Sequence, residues 1–337
     1  MGSRYTEHKI KASKVQSLVW EDDELVDWVG GGVRFSLDGS TQSRVVNYAY
    51  KFDAAISSPS GQFVVLYTRT GTTGLLLRRG EIVRQLTRDF YQAHAYEYPI
   101  AFGTASDGRE LLVHCPESYC QIEIEDAESG ERVKSPSKRE PGDCFHSRLA
   151  CSPNGRLLLS AGWVWHPLDV IGVFDLPAAL SDPTTLDKSS LSPPGSWELS
   201  SASFVNDDYL MVGSSEEFYG DEDDEEDDQP GKHQIALWRI GASDYTRRIA
   251  LSYPPGTICP INERFVVSFY QHPRLIDLEK SETVLEWPHI KSGSQTSSIV
   301  WDKHPPPMAF DPKNYRFAIA NEDSITVIEI DISSLTI

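Results

Sequence analysis

The sequence predicts an all-β fold, and three observations carry the prediction. Short runs rich in Val, Ile, Leu, Phe and Tyr alternate with polar turns, and no long stretch shows the apolar periodicity of a helix. Turn formers are abundant, with 23 glycines and 21 prolines among 337 residues. The turns also recur with a period. SPNGRLLLSAG at 152–162 has a close copy in SPSGQFVVLY at 58–67 and another in SDGRELLVH at 106–114. VNDDYLMVG (205–213), INERFVVSF (261–269) and DPKNYRFAIA (311–320) keep the polar turn and the apolar run, and EDDELVDWVG (21–30) keeps them more weakly.

These turns fall near residues 22, 60, 107, 154, 207, 262 and 313, at spacings of 38 to 55 residues. Propeller blades repeat every ~40–50 residues. Each interval also has the content of a blade. In the third, PIAFGTA, ELLVHCP, QIEIEDA and ERVKS read as strands A to D; in the fourth, DVIGVFDL (169–176) reads as a third strand; in the sixth, RLIDLEKSETVLEW (274–287) reads as strands C and D. The expected architecture is a seven-bladed β-propeller of four-stranded antiparallel blades, one domain over 1–337. The blades are placed at about 15–51, 53–88, 98–136, 145–187, 198–253, 256–290 and 305–337. The last interval lacks a fourth strand, and RYTEHKIKAS (4–13) lacks a blade. Letting the N-terminal strand complete the last blade uses both and removes an open sheet edge.

Seven repeats with SPxG-type A–B turns, and VFDL closing a C strand, resemble the WD-repeat β-propellers at the level of pattern. The Gly-His pair of that family is missing, and its Trp-Asp dipeptide is represented by Phe174–Asp175, Trp238–Arg239 and Ile276–Asp277. The resemblance implies that B–C and D–A loops share one face and that this face commonly binds partners.

Composition removes several function classes. The formal charge is −19, which opposes binding to DNA, RNA or anionic lipid and favours a basic or neutral partner. No run of 18 apolar residues is present and MGSRYTEHKI lacks the apolar core of a signal peptide, so a cytoplasmic protein is expected. Cys115, Cys120, Cys144, Cys151 and Cys259 are an odd, sparse set and read as free thiols. VGGGV (29–33) lacks the lysine and helix of a phosphate loop and reads as a B–C hairpin. There is no G-x-S-x-G elbow, and the nine histidines are scattered without ligand spacing. No catalytic residue, metal or cofactor is therefore assigned. A metal-dependent propeller hydrolase or lactonase, with its site on the axis, is the enzymatic alternative, and a scaffold subunit of a larger complex is the structural one.

The most anomalous segment is EEFYGDEDDEEDDQPGK (216–232), with eight consecutive acids from Asp221 to Asp228. As a calcium loop it fails, having Glu226 where glycine is needed and Lys232 where the bidentate glutamate belongs. It reads as a self-repelling, mobile insertion at 219–231, either tolerated or serving as a lure for a basic protein. By the blade assignment it leaves the B–C side of blade 5. The same face is expected to carry Phe90, Tyr91, Tyr96 and Tyr98, then Trp163, Trp165 and His166, and then Tyr270, His272 and Arg274. Trp163 and Trp165 alternate and should project from one side of their strand. Aromatic anchors beside carboxylates are an interface composition. The expected function is a non-enzymatic binding module, monomeric on its own, that engages a basic protein and neutralises it as an immunity protein or inhibitor would. The contacts are assigned to Tyr91, Tyr96, Trp163, Trp165, His166, Tyr270, His272 and Arg274 and to Glu216, Glu217, Phe218, Tyr219, Asp221, Glu222, Asp223 and Asp224. Trp28 and Trp238, inside expected strands, are assigned to the core.

Overall fold

The computed structural model describes residues 4–43, 46–195, 197–218 and 232–335, with the side chains of 215–218 outside that description. Seven of its sheets form a ring of antiparallel blades, in which each strand pairs with the next in sequence except where the N-terminal strand joins the last blade. Blade 1 takes Val19–Glu21, Glu24–Asp27, Val33–Ser36 and Thr41–Gln42 as strands A to D, and blade 2 takes Ala54–Ser57, Phe63–Tyr67, Thr73–Arg78 and Glu81–Thr87. Blade 5 is built from Trp197–Phe204, Tyr209–Phe218, Gln234–Arg239 and Tyr245–Ala250, and blade 6 from Ile258–Pro260, Phe265–Ser268, Arg274–Asp277 and Glu282–Glu286. Blade 7 has Met308–Asp311, Arg316–Ala320 and Ser324–Ile330, and its fourth strand is the N-terminal Tyr5–Lys11, paired from Tyr5 with Ile330 to Lys11 with Ser324.

Blades 3 (Ile100–Thr104, Glu110–His114, Glu123–Asp126) and 4 (Ala150–Cys151, Leu157–Val164, Leu168–Asp175) keep three full strands. Their fourth is reduced to one bridge, Glu125 with Arg132 and Val173 with Leu191. The expected strand ERVKS of blade 3 is thus a single ladder rung, because Pro136 follows it and cannot donate to a ladder. In blade 4 the Asp175 carboxylate accepts from the Ala178 N–H, and the chain turns into a short helix, Leu176–Ser181, with Pro177 in its first turn.

The repeated turn has one geometry built from several residue types. Gly61, Gly108 and Gly155 have φ of +70°, +85° and +71°, where a side chain would be strained. Each donates its N–H to a carbonyl three residues back, at 2.9 Å. In SPSG and SPNG the serine also accepts, with Ser58 Oγ 3.1 Å from the Phe63 N–H and Ser152 Oγ 3.1 Å from that of Leu157. Asn206, Asn262 and Asp311 do the same work in blades 5 to 7, each side-chain oxygen accepting from N–H groups two and three residues on.

The core is divided among the blade interfaces. Apolar clusters join blade 1 to 2 (Val26, Trp28, Leu66), 2 to 3 (Val65, Tyr98, Phe102), 3 to 4 (Val113, Leu158, Phe174) and 4 to 5 (Val173, Leu210, Trp238). The series continues from 5 to 6 (Leu237, Val266), 6 to 7 (Phe265, Trp287, Phe317) and 7 to 1 (Val327, Leu25, Phe35). Ile10 of the N-terminal strand belongs to the last of these. Trp28 and Trp238 are core residues as expected, and Trp238 donates to the Ala242 carbonyl at 2.8 Å. The three Trp-Asp variants end C strands, where Asp277 takes a two-pronged hydrogen bond from Arg264 at 2.9 and 2.7 Å. All five cysteines are free. Among the described residues no helix is long and apolar enough to cross a membrane.

Candidate functional site

Antiparallel strands in sequence order put the B–C and D–A connections at one end of every blade. At blades 3 and 4 this end carries an aromatic stack. Tyr119 of the B–C loop of blade 3 lies 4.2 Å from Phe145, and Phe145 lies 4.0 Å from Trp163, with rings within 18° and 7° of parallel. Phe145 sits in the D–A connection, bridged through backbone to Trp163. Tyr96 closes the stack edge-on at 5.5 Å from Phe145. Above these buried rings stand Tyr91 and Trp165, 40% and 43% exposed, and beside Tyr91 in the chain Phe90 is 82% exposed. The loop bearing Phe90 and Tyr91 is stapled by Arg88, whose guanidinium donates to the Gly71, Ala93 and Tyr96 carbonyls at 2.6 to 2.9 Å.

The expected contact residues therefore divide. Tyr91, Trp165 and His166 are at the surface, whereas Tyr96 and Trp163 are buried beneath it; the neighbouring Tyr98, expected on this face, is buried as well. Trp163 and Trp165 do not share an environment, because the strand ends at Val164 and Trp165 belongs to the turn beyond. The two rings still touch edge-on at 5.3 Å. His166 in that turn has φ +93° and precedes Pro167, a strained backbone for a residue with a side chain. Tyr270 is half-buried at the wall of a cavity between blades 4, 5 and 6. Arg274 is occupied internally, over the Tyr253 ring at 4.1 Å and donating to the Tyr270 carbonyl at 2.9 Å, and His272 lies 3.3 Å from Glu286. Glu216, Glu217 and Phe218 fall on strand B of blade 5, their side chains outside the description. Tyr219, Asp221, Glu222, Asp223 and Asp224, with the whole 219–231 insertion, lie outside the described residues.

The sequence reading missed the stretch between blades 6 and 7. It forms a small ladder, Ser294–Gln295 with Trp301–Lys303, and its tip reaches across to blade 4. There the Ser298 N–H donates to both carboxylate oxygens of Asp169 at 3.0 and 2.9 Å, and Ile299 packs against the aromatic stack. Below this strap the channel holds a cavity of about 320 Å³. Its wall carries the charged neighbours Asp53, Arg69, Glu97 and Arg148, and Asp169 lies next to Arg148. Asp53 accepts from the Arg69 N–H at 2.7 Å, Tyr67 donates to Glu97 at 3.1 Å, and Arg148 donates to the Ala161 and Ser200 carbonyls at 3.0 and 2.6 Å. Burial pushes the Asp169 carboxyl up to about 7; Arg148 opposes the shift and Glu198 adds to it. Glu198 in turn accepts from the Asp169 N–H at 2.7 Å. Nothing in local sequence marks Asp169 or Glu198, which meet only through the ring.

Among the described residues no group of three or more His, Cys, Asp and Glu is placed to hold a metal ion. His146, whose Nδ1 lies 3.0 Å from Ser160 Oγ, ties a D–A connection to strand B of blade 4. Burial pushes this histidine down to about 4.

The ring and its aromatic, strap-crossed face define the chain as a seven-bladed β-propeller. A comparison with protein-family models gave no match, and neither did a comparison with curated protein sequences.

Proposed function

We propose that the chain is a protein-binding module whose B–C/D–A face engages a basic protein, and that covering the partner's cationic surface neutralises it. The observation that carries this reading is the pair of exposed rings Tyr91 and Trp165, held over a buried aromatic stack, with the exposed Phe90 beside Tyr91 in the chain. Exposed aromatics normally lose free energy on binding through ordering; rings already held by neighbours lose less, so they make strong anchors. The acidic run Asp221–Asp228, inserted in the sequence between strands B and C of blade 5, supplies the sign of the partner. With a chain charge of −19, it would steer a basic protein and raise the rate of encounter in a salt-dependent way.

The test is affinity capture from the native cell with the wild-type chain and with a Phe90→Ala/Trp165→Ala double variant, read by quantitative mass spectrometry. A basic protein retained by the wild type and lost with the double variant is the expected result. Equal capture by both chains would remove the face from the argument. With that partner purified, deletion of residues 219–230 is expected to slow association at low salt and to leave it unchanged near 0.5 M, where the screening length is roughly 4 Å. An unaltered salt slope would remove the steering role.

A further inference from the structure

The channel cavity beneath the strap is walled by the innermost strands: Ala54 and Ala55 of blade 2, Ser201 and Ser203 of blade 5, Ile258 of blade 6 and Met308 of blade 7. A second cavity, of about 370 Å³, shares Asp53, Arg69, Pro305 and Pro307 with it. The second one reaches the surface, since Gln16, Asp53 and His304 on its wall are exposed. The axis thus holds a polar chamber with an entrance beside the prolines that follow the strap.

The charges of the chamber balance, with Arg69 and Arg148 set against Asp53 and Glu97. The hydrogen bonds do not. Arg148 donates from Nε and Nη1 to the Ala161 and Ser200 carbonyls, and its buried Nη2 has no partner among the described residues. Ser201 is 5% exposed, and its Oγ lacks a partner too. A buried guanidinium N–H without an acceptor is costly, and a carboxylate is the acceptor that the guanidinium fork fits best. A simple anion would leave the chamber with net charge away from water, which is unfavourable. A ligand carrying one charge of each sign keeps the balance. The chamber, at about 320 Å³, is far larger than the roughly 30 Å³ share of one water molecule. It falls at the small end of ligand sites, which run from roughly 300 to 1,000 Å³.

We propose that the channel binds a small zwitterion of the α-amino acid type. Its carboxylate lies toward Arg148 and Arg69, and its ammonium group toward Glu97 and Asp53. Leu18, Ile258 and Met308 on the wall suit an aliphatic side chain. This site is on the axis and does not depend on the exposed rings of the protein-binding reading.

The probes are the common free amino acids, each added singly at millimolar concentration to the full chain and read by thermal unfolding. At least one aliphatic amino acid is expected to raise the midpoint by roughly 2 °C or more. Calorimetric titration then compares it with its decarboxylated amine and its deaminated acid, both expected to bind at least tenfold more weakly. Arg148→Lys keeps the charge and loses the fork, and is expected to weaken binding by about tenfold or more. Because Arg148 also ties two backbones, Ser203→Phe provides a second variant, at a half-buried position on the wall. It narrows the chamber and is expected to abolish binding, with the fold checked by circular dichroism. The Phe90→Ala/Trp165→Ala double variant is expected to bind the amino acid as the wild type does. A midpoint that no amino acid raises would overturn the proposal, as would an amine or an acid that binds as well as the parent. Binding that survives Ser203→Phe, or is lost in the Phe90/Trp165 variant, would place the ligand outside the channel and overturn it equally.

Discussion

A Cβ at Gly162 would lie 2.0 Å from the carbonyl oxygen of Phe145. The glycine is there because two backbones approach closely, at the bridge that stacks Phe145 on Trp163. Gly162→Ala is therefore expected to destabilise the chain by about 1–3 kcal/mol through overpacking. It should also loosen Trp163, seen as a red-shifted, more quenchable tryptophan emission; an unchanged urea midpoint would contradict the close-approach argument. Two buried titrating groups in blade 4 act in opposite directions. Asp169 is raised from 3.8 to about 7, so the folded state keeps a proton that the unfolded chain releases, and its contribution to stability is lost as pH rises from about 4 to 7. His146 is lowered from 6.5 to about 4, so its contribution is present above 6.5 and lost as pH falls toward 4. The two slopes offset each other between about pH 4 and 6.5. Asp169→Asn, which keeps an acceptor for the Ser298 N–H, is expected to unmask the histidine slope. Its stability should rise from pH 4.5 to 6.5 more steeply than that of the wild type, measured by urea unfolding across that range, and parallel profiles would refute the assignment.

At the scale of elements, the N-terminal strand replaces a missing fourth strand in blade 7, and its Ile10 is buried between blades 7 and 1. Ile10→Ala is expected to lower stability by about 2–5 kcal/mol, while the exposed neighbour Lys9→Ala stays within about 0.5 kcal/mol. Equal effects in denaturant unfolding would mean that ring closure contributes little. This strand was legible in the sequence, because an unassigned strand at one end and an incomplete blade at the other have one economical solution. The A–B turns were legible for a local reason: glycine at positive φ and Ser, Asn or Asp accepting from nearby N–H groups are properties of four or five consecutive residues. The fourth strand of blade 3 was overread, since ERVKS, with Val133 as its one apolar residue, forms a single rung before Pro136. The strap between blades 6 and 7 was not legible, because what orders it is Asp169, more than a hundred residues away.

For the whole molecule, seven apolar clusters lie one at each blade interface, so each blade is stabilised by both neighbours and closure makes the set cooperative. Period, turn chemistry, alternation of apolar residues and net charge are all short-range or summed properties, and the sequence by itself determined the all-β class, the seven-fold ring, its closing strand and the acidic character of the chain. Which aromatics face solvent was decided only in three dimensions. Trp163 and Trp165 are two residues apart and chemically identical, yet one is stacked under Phe145 and the other stands above it. The meeting of Asp169 with the Ser298 N–H likewise joins blade 4 to the strap between blades 6 and 7, across more than a hundred residues of chain. Burial and electrostatic pairing depend on distance through space, and a ring closes distances that the chain keeps far apart.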